Sequence, residues 1–355
     1  MKKIILILPS LKISGGTYEA VNFILEFIGS TYEVCVLVMW HEKNSILLDN
    51  KVKIIYLSSF KASKILAIFQ MPIIIMNAAK YLLFSGKSSQ VFMTHWSTLW
   101  AKAFIHQSSD DYILVQGEEW NFGSPLFKKL IYQFVTKIYR RTRLIPFSLS
   151  LEAQLNDMNI DVYNKYSIWA DPVFLKKSKN KKYDFIFMLR KGAAKRSDLT
   201  LAGIRYLSRL ITPNRILAVF TDEEFRSCLT ELGVHMMYSP NKTKLASLYS
   251  ESRLLLFFSD SEGFGLPPLE AMGCGCVPLC RDSNGPRIYM KSRLQKLLIK
   301  PDVSVYDICD HALSLLADKN ELASLAKDSE DIFSRGLAAS KADRIATIRS
   351  IKGKG

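Results

Sequence analysis

The sequence predicts an α/β protein made of two Rossmann-like domains, each built on a parallel sheet. Short apolar, β-rich runs recur along the chain and are separated by amphipathic stretches of helical length, the pattern of βα units. They form two series: 4–8, 34–39, 52–56, 91–94, 112–115 and 144–147, then 185–189, 216–219, 254–258 and 277–279. Length agrees, because 355 residues with 48% hydrophobic side chains fill two cores of ordinary size. Between the series, the basic and aperiodic stretch 176–182 reads as the connection, which gives domains at 1–171 and from 172 onward.

The first run follows Met1-Lys2-Lys3 but stops at Pro9 with no small-residue cleavage site after it, so it reads as a buried strand and not a signal peptide. Ser14-Gly15-Gly16 then makes a strand-to-helix turn before a helix with apolar Val21, Ile24, Leu25 and Ile28. The absence of G-x-G-x-x-G here argues against a nicotinamide enzyme. The apolar stretch 65–84 has the length of a membrane span, yet it contains Gln70, Pro72, Asn77 and Lys80, and it reads as a core or interfacial segment. Strand 112–115 runs into Gln116-Gly117-Glu118-Glu119-Trp120, where Glu118 or Glu119 is placed to act as a general base or to cap the next element. His95 and Trp96 end another strand, and a lone histidine there reads as structural. Residues 127–143 are amphipathic at helical period with bases and aromatics interleaved, which fits a helix lying on anionic lipid and equally one packed on the sheet.

The chain carries 48 Lys+Arg against 33 Asp+Glu, a net charge of +15. Residues 1–171 hold 18 bases and 13 acids and the remainder 30 and 20, so the excess is not one tail. A partner of negative charge is implied: nucleic acid, an anionic membrane or a phosphorylated small molecule. Nucleic acid ranks last, since no helix-turn-helix and no single exposed basic-aromatic surface stands out. Six cysteines without an export signal should stay reduced. The trio Cys274, Cys276 and Cys280 lacks zinc-knuckle spacing and a nearby His, and reads as buried thiols.

The most informative segment is 259–273, Ser-Asp-Ser-Glu-Gly-Phe-Gly-Leu-Pro-Pro-Leu-Glu-Ala-Met-Gly. It follows a predicted buried strand and so lies at the strand's carboxyl end, where open α/β sheets place ligands. Pro267 and Pro268 suit a first helical turn, because the amide hydrogens they lack have no helical partner there. The amides of Gly263, Phe264 and Gly265, with the helix's positive end, make a seat for a phosphate or sugar oxygen. Glu262 and Glu270 can accept hydrogen bonds from hydroxyls, which suits a sugar nucleotide better than bare phosphate. Upstream, Arg190, Lys191, Lys195 and Arg196 cluster at the end of another strand, where bases can neutralise a diphosphate. Taken singly, each glutamate reads as a solvated or capping residue and the base cluster as an exposed loop.

Together these residues resemble glycosyltransferase family 4 of the GT-B fold, whose E-x7-E motif corresponds to Glu262 and Glu270 in EGFGLPPLEAMGCGCVP. The resemblance implies two sheets facing across a cleft, a domain over 172–335 and a helix over 336–355 that packs back toward the first domain. It also implies that Glu262 faces the donor sugar, that Glu270 binds the ribose, and that the backbone of Gly263, Phe264, Gly265 and Leu266 holds diphosphate and sugar. Arg190 aligns with the family's diphosphate arginine, and Lys195 and Arg196 compete for the second base. Gly15 and Gly16 match a loop beneath the donor phosphates. Segment 242–249 fits the approach to the nucleotide pocket. Gln116 stands where many members have a histidine; with its acidic followers it is similar to the Gln-Asp-x-Glu of rhamnosyltransferases of surface-polysaccharide synthesis, although Gly117 departs from that pattern.

The implied function is retaining transfer of a sugar from a UDP-, GDP- or dTDP-sugar to a glycan or lipid-linked glycan in bacterial O-antigen, capsule or similar synthesis. Such an enzyme needs no cofactor, no metal and no fixed protein nucleophile, and is expected in the cytoplasm, peripheral on the inner face of the anionic membrane. The rivals are a non-catalytic glycan- or nucleotide-binding relative, a phosphorylase or epimerase of the same fold, and a basic nucleic-acid-binding protein.

Overall fold

The computed structural model describes residues 2–11, 15–28, 32–41, 48, 50–58, 66–84, 89–105, 110–118 and 125–353. They divide into two units, Met1–Ile168 with Ser340–Gly355, and Trp169–Ala339.

In the first unit the chain runs β1 (Lys2–Ser10), α1 (Gly15–Leu25), β2 (Tyr32–Trp40), β3 (Lys53–Tyr56), α2 (Leu66–Leu83), β4 (Gln90–Met93), β5 (Asp110–Val115), α3 (Pro125–Tyr139), β6 (Arg143–Pro146) and α4 (Leu149–Asp157). The sheet is parallel in the order β3-β2-β1-β4-β5-β6. Its central strands are apolar on both faces because helices cover both. In β1, Ile4, Leu6 and Leu8 point into a core with Phe23 and Phe27, while Ile5 and Ile7 point into a second core with α2 and α3.

The polar residues within 65–84 have partners. Helix α2 buries Gln70, Ile74, Ala78 and Leu82 at a four-residue spacing. Ser58 donates to Gln70, and Asn77 donates to the Leu57 carbonyl just beyond β3. The outer side of α2 leaves Ile73, Met76, Leu83 and the following Phe84 exposed. Among the described residues no helix is long and apolar enough to cross a membrane.

The second unit runs β7 (Tyr183–Leu189), α5 (Ser197–Leu210), β8 (Ile216–Phe220), α6 (Arg226–Glu231), β9 (His235–Tyr238), α7 (Lys242–Ser250), β10 (Ser252–Phe257), α8 (Leu266–Gly273), β11 (Val277–Arg281), β12 (Leu298–Ile299), α9 (Val305–Ala317) and α10 (Lys319–Gly353). Its parallel order, β12-β11-β10-β7-β8-β9, repeats that of the first unit. In each sheet the winding reverses between the first and fourth strands of the unit, β1/β4 and β7/β10, and ligands bind outside the carboxyl ends of such a switch point.

Stretch 176–182 is not the connection. It lies inside the second unit, where the Lys181 ammonium donates to the carbonyls of Ser252 (3.0 Å) and Gly275 (2.9 Å) and Lys177 pairs with Glu330. The division falls at 168/169. Cys274, Cys276 and Cys280 are buried free thiols, and burial pushes the Cys276 thiol up to about 12.

Helix α10 is shared. Up to Ala339 it belongs to the second unit, where Gly336 lies so close to the Trp169 indole that a Cβ would sit 2.1 Å from the ring. From Ser340 it belongs to the first unit. There Ile348 and Ile351 enter the core, Thr347 donates to the Lys165 carbonyl, and Arg344 pairs with Glu19 and stacks 4.7 Å from the centre of the Tyr166 ring.

Candidate functional site

The carboxyl ends of β7 and β10 bring the two sequence segments together. After β7, Gly192 takes a positive φ of 131° and a single 3-10 turn places Lys195, whose amide donates to the Gly192 carbonyl at 2.9 Å. After β10, the Asp260 amide donates to the Ala194 carbonyl at 2.8 Å and ties the two loops to each other. Glu262, only 10% exposed, accepts from the Lys195 ammonium at 2.8 Å and has the Arg190 guanidinium at 3.8 Å. A nearly buried carboxylate is tolerable here because two cations face it.

The loop 263–265 leads into α8. Gly265 precedes the helix with φ 79°, left-handed backbone that suits glycine, and its carbonyl accepts from the buried Tyr289 hydroxyl. The Phe264 ring packs against Trp169 and Tyr289 and so anchors the loop through its side chain. Among the described residues, the amides of Gly263, Phe264 and Gly265 donate to no protein acceptor. They lie beside the positive end of α8, which makes this an anion seat.

Glu270 lies one turn further along α8. Burial pushes its carboxyl up to about 7, against the opposing pull of Lys242 and Arg190. The wholly buried Tyr249 hydroxyl lies close enough to feel the Glu270 charge and has no hydrogen-bond partner among the described residues.

Arg196 and Lys195 differ in their commitments. Arg196 adopts a left-handed φ of 47°, and its guanidinium is held by Asp198 (2.8 and 2.9 Å) and Asp260 (3.1 Å). Asp260 also pairs with Arg281 at 2.7 Å, a side chain at the end of β11 that is 12% exposed. Sequence reasoning passed over Asp260 and Arg281; their only signal was position, beside the motif and just past a predicted strand.

In the first unit, α1 begins at Gly15-Gly16 directly after the β1 loop, and Ser14 lies outside the described residues. Gln116 follows β5, and among the described residues its Nε2 is buried without an acceptor. Glu118 is exposed in the same loop, while Glu119 and Trp120 lie outside the described residues. His95 caps the 3-10 segment Trp96–Phe104 by accepting from the Ser97 amide, and burial lowers its pKa to about 4, so it is neutral and structural.

The raised Glu270 pKa has a sign that can be measured. The native state holds the proton more tightly than the unfolded chain, so the stabilisation is complete below the unfolded pKa near 4.5 and disappears as pH rises through about 7. Wild type should therefore lose about 2–3 kcal/mol relative to Glu270→Gln between pH 4.5 and 7.5. Urea unfolding of both proteins across that range checks it; parallel pH curves would refute it.

Residues 174–331 match the model of the family "Glycosyl transferases group 1". A protein of the Sulfolobus islandicus filamentous virus, provisionally named glycosyltransferase 41, is 32% identical over 116 residues, which cover 29% of this chain and 34% of that protein. The chain thus spans about a third of the length of this relative. Among solved structures, sucrose-phosphate synthase from Thermosynechococcus elongatus matches with TM-score 0.74 and 14% identity over all of both chains. Anabaena HepE in complex with UDP-glucose matches with TM-score 0.73 and 14% identity over 98% and 99% of the chains. WaaG, a glycosyltransferase involved in lipopolysaccharide biosynthesis, matches with TM-score 0.63 and 12% identity over 96% and 99%. The two doubly wound sheets therefore form a GT-B fold, within which residues 174–331 are similar to the glycosyl transferases group 1 family.

Proposed function

We propose that the protein is a retaining glycosyltransferase that moves a sugar from a nucleoside-diphosphate donor to a hydroxyl of a glycan or lipid-linked glycan in surface-polysaccharide synthesis. The observation that carries this reading is the convergence of Lys195, Arg190, Glu262 and the open amides of residues 263–265 at the β7/β10 switch point. Cleavage of the bond between anomeric carbon and phosphate oxygen leaves its electron pair on the diphosphate. Arg190, Lys195, the loop amides and the start of α8 stabilise that charge, and the acceptor hydroxyl attacks from the face the diphosphate leaves. These groups supply the positive charge a divalent ion would otherwise bring, so no metal has a role. Glu262 then orients the sugar and Glu270 the ribose.

Lys195 is favoured over Arg196 as the second diphosphate base, because Asp198 and Asp260 already hold the Arg196 guanidinium. The buried Gln116 amide favours a role toward the sugar, with Gly15 and Gly16 beneath the phosphates and Glu118 as candidate base. The solved HepE complex contains UDP-glucose, which makes UDP the first nucleotide to try. Thermal denaturation with UDP, GDP and dTDP tests the reading: one of them at 100 times its Kd should stabilise the protein by about 2.7 kcal/mol, and no shift with any of the three would remove the foundation of the proposal.

A role at a membrane rests on separate observations. Seven large apolar side chains stand exposed at α2 and α3: Ile73, Met76, Leu83, Phe84, Leu130, Tyr132 and Phe134. Helix α3 buries Val135, Thr136 and Tyr139 against the sheet, and its outer side adds Lys128, Lys129 and Lys137. Exposed apolar side chains together with the lysines of α3 suit the headgroup region of anionic lipid, where a lipid-linked acceptor resides. Sedimentation with vesicles containing 30% phosphatidylglycerol should pellet wild type but not a Lys128→Glu, Lys137→Glu variant; equal pelleting of both would reject this surface.

A further inference from the structure

At the amino-terminal end of the second sheet, away from the site above, lies a cavity of about 570 Å³. Lys181, Arg215, Arg253 and Lys319 line it, with Asp184 as the one carboxylate among its lining residues. Asp184 is shared: it accepts from Arg215 at 2.5 and 3.0 Å and from Arg253 at 3.1 Å. Glu330, near Gly275, is taken by Lys177. The Lys181 ammonium donates to two backbone carbonyls with the Glu330 carboxylate nearby, and the terminal guanidinium nitrogens of Arg253 have no partner among the described residues. Arg253 and Lys319 therefore leave positive charge in excess around a cavity partly open to solvent. The remaining wall is apolar, formed by Val277, Leu316, Leu322 and Ala326 where α9 gives way to α10.

We propose that this cavity binds a small organic anion, a phosphate or carboxylate head carrying an apolar body. The head pairs with Arg253 and Lys319, each a strong donor to anionic oxygens. The apolar body lies along Leu316, Leu322 and Ala326, which accounts for a wall that a bare ion would not use. Asp184 is the second residue of β7 and Arg190 follows its end, so at about 3.3 Å per residue the cavity lies roughly 20 Å from the cations that face Glu262. It is a second site and not an extension of the first.

Isothermal titration calorimetry of the full chain with phenyl phosphate, and with inorganic phosphate as the head alone, tests the proposal. Phenyl phosphate should bind saturably and at least tenfold more tightly than inorganic phosphate. Arg253→Gln and Lys319→Gln should each weaken it at least tenfold. Asp184 keeps Arg215 in the first variant, and the second changes only an exposed side chain, so both are expected to fold. Ala326→Leu, which fills the apolar side, should weaken phenyl phosphate and spare inorganic phosphate. Lys195→Ala, which alters the first site, should leave this saturable binding in place. Absence of saturation, unchanged binding in both charge variants, or loss of binding in Lys195→Ala would each overturn the assignment.

Discussion

Lys195→Ala is expected to lower the proposed sugar transfer by about 100- to 1,000-fold, the usual loss when one preorganised charge is removed from a leaving group. In the resting arrangement Lys195 is spent on Glu262 at 2.8 Å. In the proposed reaction, donor binding shifts that charge onto the diphosphate, so the cation is already in place when the bond breaks. The loss should fall mainly on kcat, because charge accumulates on the diphosphate as it leaves, whereas Arg190 and the loop amides still hold the ground state. Arg196→Ala should cost far less, its guanidinium being engaged by Asp198 and Asp260. Steady-state kinetics of both variants decide the matter. A Lys195→Ala enzyme within threefold of wild type would show that the ammonium serves only to neutralise Glu262.

Gly265→Val should damage both stability and donor binding. A Cβ at this position would lie 3.0 Å from the Pro286 ring and 3.1 Å from the Tyr289 hydroxyl, and φ 79° is hostile to a β-branched residue. Left-handed backbone costs about 1–2 kcal/mol and overpacking about 1–3 kcal/mol, roughly 2–5 kcal/mol in sum. For a unit of this size, that is a fall in Tm of about 5–15 °C. Displacing Tyr289 would also release its hydrogen bond to the Gly265 carbonyl and let the amide loop move, so UDP affinity should drop at least tenfold. Calorimetric unfolding and a UDP titration measure the two effects; a Tm within 2 °C of wild type would mean that the loop relaxes at little cost.

Most of the sheet was readable because its central strands are buried on both faces and therefore appear as continuous apolar runs. The two strands missed, β9 and β12, are the edges of the second sheet. His235 and Tyr238 are exposed and Leu298-Ile299 is only two residues long, so neither carries that pattern. The basic stretch 176–182 resembled a linker for a chemical reason: nothing in a run of lysines announces that Lys181 points at the carbonyls of Ser252 and Gly275. Glu262 and Glu270 were legible because one continuous segment carries the loop, both prolines and both acids. Asp260 with Arg281, and Tyr249 with Glu270, were not. Those partners belong to different elements and meet only through strand order.

The passage of α10 from one unit to the other also bears on the order of folding. Every residue of the Trp169–Ala339 unit has been synthesised before Ser340 appears, whereas the unit that begins at the amino terminus waits for Ile348 and Ile351 to fill its core. At about 5–20 residues per second, that delay is roughly 10–35 s during which Phe23, Phe27 and Tyr166 lack their final cover. The half of the protein that emerges first is thus completed last.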